Sequence, residues 1–186
     1  GVKSVIQPYR IEELGANLSL SREIRKTTRI WLGGSFQQIN IFDISEAEEI
    51  NFRREKGINE RRKINFNLEH DTRGNPLLPL DGSLTQIYME YVGGFLKGDN
   101  NFFKLISSWS RYYQSKKLKK FQVLASRLKL GLIRDFPPQN YVPTFDRFYM
   151  GGASSIRGYV ENSLGAKDSL GGKVLGLANL EYRAEL

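Results

Sequence analysis

The sequence predicts an all-β chain, an antiparallel up-and-down meander of about seven strands, and three observations carry that expectation. In five segments the apolar residues recur at every second position, the period of a strand with one apolar and one polar face. All six prolines (Pro8, Pro76, Pro79, Pro137, Pro138 and Pro143) fall outside the regular runs, where they block no ladder hydrogen bond. The connections also differ in kind, some short and polar, others long and irregular.

The first strand is read at 14–20, where Leu14, Ala16, Leu18 and Leu20 skip over Gly15, Asn17 and Ser19. A short polar turn at 23–27 leads to a second strand over roughly 28–42. Its facing is ambiguous, because Ser35, Gln37 and Ile39 oppose Phe36 and Gln38. Residues 43–60 read as a long loop, and the charged stretch 45–62, the one competitor for a helix, is assigned to it. Ile64, Phe66 and Leu68 against Asn65 and Asn67 mark the third strand. Ile87, Met89 and Tyr91 against Tyr88 and Glu90 mark the fourth. An intermediate connection at 93–101 precedes a fifth strand at roughly 102–113, and the basic turn SKKLKK at 115–120 follows. In the sixth strand Leu124, Leu128, Leu130 and Leu132 oppose Ala125, Arg127, Lys129 and Gly131. After a long segment, 133–172, Ala178, Leu180 and Tyr182 oppose Asn179, Glu181 and Arg183.

No window holds eighteen consecutive apolar residues, which excludes a transmembrane helix but not a barrel, whose strands carry apolar residues only at alternate positions. Long loops at one end of a meander and short turns at the other are the habit of outer-membrane barrels. A β-sandwich also alternates, and its polar face would meet solvent where a barrel's would meet the lumen; composition does not choose. Trp31, Trp109, Tyr112 and Tyr113 suit an interfacial girdle or a packed core equally. The net charge of +8 favours anionic partners or describes a solvated basic surface. Cysteine is absent and His70 is the single histidine, so neither a zinc site nor a catalytic triad finds its ligands. Gly151-Gly152 does not join a strand to a helix, and a dinucleotide site is unsupported. The expectation is a non-enzyme without cofactors. The chain begins Gly-Val-Lys and stops in mid-pattern at Glu185-Leu186, and both ends read as cut.

Three segments in order resemble the BamA/TamA superfamily of outer-membrane assembly and translocation barrels, the bacterial surface antigen family. RFYMGGASSIRGY, 147–159, is similar to its signature loop. DTRGNPLLPLDG, 71–82, resembles its turn between two central strands, and LANLEYRAEL at the end resembles the strand after the loop. Gly93-Gly94-Phe95 and the strand from Phe103 to Tyr112 fit more loosely. The likeness covers residue 60 to the end by motif and the first 60 residues by pattern. It implies a sixteen-stranded transmembrane β-barrel preceded by periplasmic POTRA domains. Residues 1–186 would be a partial barrel domain, about the sixth to the twelfth strand, with a signature lumenal loop at 135–171. The terminal strands and every POTRA domain would lie outside it.

The resemblance further implies a bacterial outer-membrane location and a role in inserting or translocating β-barrel proteins. The implied partners are nascent outer-membrane β-barrel proteins, outer-membrane lipids and, through the POTRA domains, accessory assembly lipoproteins. In the family, the signature loop folds back into the lumen and its arginine meets acidic side chains of nearby strands. Carried over, the loop residues are Arg147, Gly151, Gly152, Arg157, Gly158 and Tyr159. Gly151 and Gly152 allow a tight reversal, and Ser154 and Ser155 satisfy backbone groups. Arg157 offers a planar fork that holds a carboxylate bidentately, Gly158 leaves room at the wall, and Tyr159 packs there. The partner assigned to Arg157 is Glu181; a second acidic partner would lie on a following strand. Asp71, Arg73, Pro76, Pro79 and Gly82 form a structural turn on the periplasmic side, with Asx-type bonds and prolines that stop pairing. Rival readings are a two-partner secretion pore, the barrel of a patatin-like lipase, and a soluble basic β protein binding single-stranded nucleic acid. The last is disfavoured, since Lys116, Lys117, Lys119 and Lys120 gather in one turn rather than on an aromatic face; no nucleic-acid partner is expected.

Overall fold

The computed structural model describes residues 10–44, 55–114, 122–164 and 171–184. Seven strands lie in one antiparallel sheet in chain order: β1 (Arg10–Arg25), β2 (Thr28–Phe42), β3 (Gly57–Asp71), β4 (Gly82–Val92), β5 (Phe102–Gln114), β6 (Gln122–Asp135) and β7 (Val174–Ala184). The two-residue connection at 26–27 and the turn at 72–81 close one end. At the other lie the loops after β2, β4 and β6. The SKKLKK turn, Pro8 and residues 45–54 of the charged stretch lie outside the described residues.

Three strands run past their expected bounds: β1 extends over Arg10–Arg25, through residues 23–25 read as turn, β6 runs on to Asp135, and β3 starts earlier. Residues 57–62, read as loop, open β3, with Asn59 opposite Ile39 and Arg61 opposite Gln37. Backbone pairing with β2 carries this part of the strand. Its side chains alternate between charges of both faces (Glu60 and Arg62 on one, Arg61 and Lys63 on the other), so no apolar period announces it.

Register settles the facing of every strand. Leu18 on β1 stands beside Gly34, and Leu20 beside Leu32; Leu32 stands beside Phe66, and Phe66 beside Met89. Across β5 to β7, Trp109 pairs with Leu128 and Leu128 with Ala178. All of these share one face, and that face is the open one: Leu18 is 74% exposed, and Leu14, Leu20, Leu32, Leu128, Leu130 and Leu180 are exposed too. The buried positions lie on the polar face, where Glu90 is 3% exposed. A sandwich would bury its leucines and expose its charges. The inverse arrangement belongs to a sheet with lipid on its apolar side. Strands of 11 to 16 residues reach or exceed the roughly 9–11 that a tilted spanning strand needs.

The aromatic residues divide between the faces. Trp109 and Tyr113 stand on the apolar face and are exposed, as an interfacial belt requires. Trp31 shares the parity of Asn65 and Asn67 on the polar face, with the Arg29 guanidinium 5.7 Å from its ring, and Tyr112 shares that face opposite Gly82.

Residues 136–164 and 171–173 fold back over the polar face near the loop end. Phe148 exchanges two backbone hydrogen bonds of 2.8 Å with Gly172, and Met150 exchanges two with Leu164, which draws the two limbs together. Val142 and Phe148 then pack with Val92, Phe102, Ile133 and Leu175 into a small apolar core. Phe148 sits over Gly131, where an added Cβ would come within 2.6 Å of the ring. Gly131→Val is therefore expected to displace Phe148 and cost about 1–3 kcal/mol, read as a lowered urea midpoint with unchanged slope.

Candidate functional site

The loop meets the sheet at a root and at a tip. At the root a short turn of 3-10 geometry, Thr144–Asp146, buries both of those side chains. One nitrogen of Arg61 on β3, Nη2, donates to Asp146 Oδ1 at 2.6 Å and to Glu90 Oε1 at 2.8 Å. Glu90 also receives Lys63 Nζ at 3.2 Å and the hydroxyl of Tyr88. Lys104 Nζ on β5 donates to the backbone oxygen of Asp146 at 2.7 Å. Three cations thus surround two carboxylates, one from the wall and one from the loop. Burial pushes the Asp146 carboxyl up to about 6, against the opposing pull of Arg61.

A second carboxylate crosses in the other direction. Glu55, just before β3, is buried and accepts the Thr144 N–H at 2.8 Å, the Thr144 hydroxyl at 2.7 Å and the hydroxyl of Tyr141. The Thr144 N–H, an orphan donor at the start of the short turn, is satisfied this way. Arg147 points elsewhere: its Nε donates to Val142 O at 3.0 Å and its guanidinium lies 5.6 Å from the Tyr141 ring.

The tip, 151–159, closes on itself. Gly151 and Gly152 have φ of 117° and 84°, and a Cβ on Gly151 would stand 2.2 Å from Val160 O. Ser155 Oγ donates to Gly151 O and accepts from Gly151 N, both at 2.8 Å. Gly152 N donates to Tyr159 O at 3.0 Å. Three contacts join the tip to β6 and β7: Arg127 Nη1 to Ser154 O at 3.2 Å, Asn179 Nδ2 to Ser155 O at 3.1 Å, and Arg157 Nη2 to Glu181 Oε2 at 3.2 Å. Arg127 lies eight residues below the end of β6, about 26 Å along the strand, so the loop runs far down the polar face.

Glu181 is brought to Arg157, but through one oxygen rather than a fork. Its other oxygen takes Arg183 Nε at 2.8 Å, and an open pocket of about 370 Å³ separates tip from wall. Arg157 is 74% exposed. A Cβ on Gly158 would meet nothing within 4 Å, so its φ of 88°, and not crowding at the wall, is what calls for glycine. The side chain of Tyr159 is exposed. In the other motif, Arg73 Nε and Nη2 grip Asp71 Oδ1 and Oδ2 at 2.9 and 2.8 Å. Asn75 Oδ1 accepts the N–H groups of Leu77 and Leu78. Gly82 has φ of 83°, and a Cβ there would stand 2.4 Å from Thr72 O. Pro76 lies exposed and Pro79 buried in the same turn.

Arg61, Glu90, Asp146 and Glu55 are the residues that sequence reading missed. Glu90 stands on the polar parity of β4, but the charged stretch that reads as loop includes Arg61. Extending the β3 alternation upward through Asn65 and Lys63 would have set Arg61 on the same face as Glu90. Among the described residues no group of three His, Cys, Asp or Glu could hold a metal ion.

The family model for the Omp85 superfamily domain matches residues 3–186. The chain belongs to the Omp85 superfamily. Among its relatives are an outer membrane protein assembly factor BamA of Nitratidesulfovibrio vulgaris, 26% identical over 91% of this chain and 22% of that protein, and a SAM50-like protein of Schizosaccharomyces pombe, 27% identical over 85% of this chain and 34% of that protein. The crystal structure of BamA from Haemophilus ducreyi lacking POTRA domains 1–3 superposes with a TM-score of 0.81 at 18% identity, over 94% of this chain and 37% of that one. This Omp85 chain therefore spans about a fifth to a third of the length of these curated relatives. Its sheet is a segment of a transmembrane barrel in a bacterial outer membrane, with its apolar face toward lipid and its polar face toward the lumen.

Proposed function

We propose that this chain is the central wall and lumenal loop of a factor that assembles or inserts outer-membrane β-barrel proteins, and that it works without covalent chemistry. The observation that carries this reading is the loop itself. Its described residues, 136–164 and 171–173, lie along the polar face of the sheet, which this reading takes as the lumenal one. Its arginine-bearing tip is held beside Glu181. The relative named as an outer membrane protein assembly factor supports the role, and its being an assembly factor supports a non-enzyme. In this reading the seven strands are about the sixth to the twelfth of sixteen, and POTRA domains and terminal strands belong to the longer protein. Nascent outer-membrane β-barrel proteins are the clients. Lipid meets the leucine face, and accessory lipoproteins engage the POTRA domains.

Arg157 then acts as the latch of the tip. Arg157→Ala in the full-length protein is expected to slow insertion of a model barrel into vesicles about fivefold, the equivalent of ~1 kcal/mol for an exposed ion pair. Exchanging the two residues, Arg157→Glu with Glu181→Arg, is expected to recover part of that rate. Wild-type insertion by the single variant would remove the latch from the proposal, and no recovery by the exchange would remove Glu181 as its partner.

A further inference from the structure

We infer that Arg61 is the residue that positions the loop, by tying β3 and β4 of the wall to the loop root through Glu90 and Asp146. The two arginines of the site differ in kind. Arg61 is 9% exposed, whereas the Arg157 side chain is 74% exposed. Charge-assisted hydrogen bonds are stronger away from water, and an exposed pair is screened. Arg61 also does what no tip residue does, since a single nitrogen joins a carboxylate of the wall to a carboxylate of the loop.

The surroundings reinforce the tie. Glu55 enters the root from the opposite direction and takes three donors of Tyr141 and Thr144. Lys104 holds the Asp146 backbone from β5. Asp146 is thereby held from β3 by Arg61 and from β5 by Lys104, and Arg61 links it to Glu90 on β4, which Lys63 and Tyr88 also hold. Among the described residues the side-chain hydrogen bonds between tip and sheet run to β6 and β7, two of them through the tip's own backbone carbonyls. Those carbonyls stand in place only if the limb above them does. Arg61 therefore places the limb, and Arg157 orients a tip that has already arrived. This inference deepens the loop reading of the proposed function and rests on it only for relevance to assembly; the geometry it claims is measured separately.

This chain has no cysteine, so one introduced by Val142→Cys reports on the root, where Val142 is fully buried. In the full-length protein in lipid vesicles, with any cysteine elsewhere replaced, its labelling by a membrane-impermeant maleimide is followed. Heat-modifiable mobility on gels serves as the measure of a folded barrel. Arg61→Gln and Asp146→Lys are expected to speed labelling at least tenfold while the barrel stays folded. Arg157→Ala is expected to change it less than twofold. The exchange Arg61→Glu with Asp146→Arg, which leaves an arginine between two carboxylates, is expected to restore most of the protection. Unchanged labelling in Arg61→Gln, or equal release by Arg157→Ala, overturns the assignment. Loss of heat-modifiable folding even in Arg61→Lys also overturns it, since the cluster would then hold the wall and not the loop. Normal client insertion by Arg61→Gln with Val142→Cys exposed would count against the proposed function and leave this inference intact.

Discussion

Leu18→Arg and Asn17→Arg place the same cation one residue apart on β1 and are expected to differ by about 2–4 kcal/mol in unfolding free energy. Leu18 and Asn17 sit at the middle of a 16-residue strand, close to the bilayer midplane. Leu18 is open to lipid, where a guanidinium has neither water nor a counter-charge. Asn17 stands opposite Ser35 on the polar face, in a part of the lumen lined by Ser19, Gln37 and Asn65. An arginine there stays hydrated, and Asn17→Arg is expected to change stability by no more than about 0.5 kcal/mol. A companion substitution separates lipid from a packed core. Leu18→Trp costs little in a fluid chain region that adapts to any shape, whereas overpacking a protein core costs about 1–3 kcal/mol. Urea unfolding of the full-length protein from vesicles measures all three. A large loss in Leu18→Trp would mean that protein, not lipid, covers this face.

The strands that sequence reading placed best are those whose two sides meet different solvents. β1, β4, β6 and β7 alternate because lipid selects Leu18, Met89, Leu128 and Leu180 while the lumen selects Asn17, Glu90, Arg127 and Glu181. The same rule fails where the contrast fades. In β2 a tryptophan faces the lumen and Gly33 and Gly34 lie side by side, Gly33 against Asn65, where an added Cβ would come within 2.8 Å of its Oδ1. Glycines carry no side-chain period, so the facing became visible only through pairing with β3. The upper part of β3 extends past the lipid band, and charges on both sides erase the alternation there.

The loop shows a similar division. Its tip is legible because local backbone demands, the positive φ of Gly151, Gly152 and Gly158, leave a mark in neighbouring residues. Its root is not, because Asp146 finds Arg61 across 85 positions of sequence, and Glu55 finds Thr144 across 89. Contacts of that range leave no local period, and only the completed meander brings β3 beneath the loop.

Arg61→Ala is expected to cost about 3–5 kcal/mol at pH 7.5, the largest single-residue loss on the lumenal face. The substitution leaves Glu90 and Asp146 buried and close together, with Lys63 and Lys104 as the remaining cations. Acid is expected to recover part of the loss. The Asp146 carboxyl titrates near 3.8 when unfolded and near 6 when buried at the root, so between those values the folded chain holds more protons. Its stability therefore gains as pH falls through 6, the gain is complete below 3.8, and it is lost as pH rises. Without Arg61, the cation that opposes burial at Asp146 is gone, and proton uptake moves above 6. The gap between wild type and Arg61→Ala should then narrow by about 1 kcal/mol between pH 7.5 and pH 5.5. Asp146→Asn, which has no proton to take at this position, should lack the Asp146 step when made alone. Paired urea titrations at the two pH values decide the point. A gap that holds or widens on acidification would mean that Lys104 and Lys63 suffice to keep Asp146 ionised, and that Arg61 contributes geometry rather than charge compensation to the loop root.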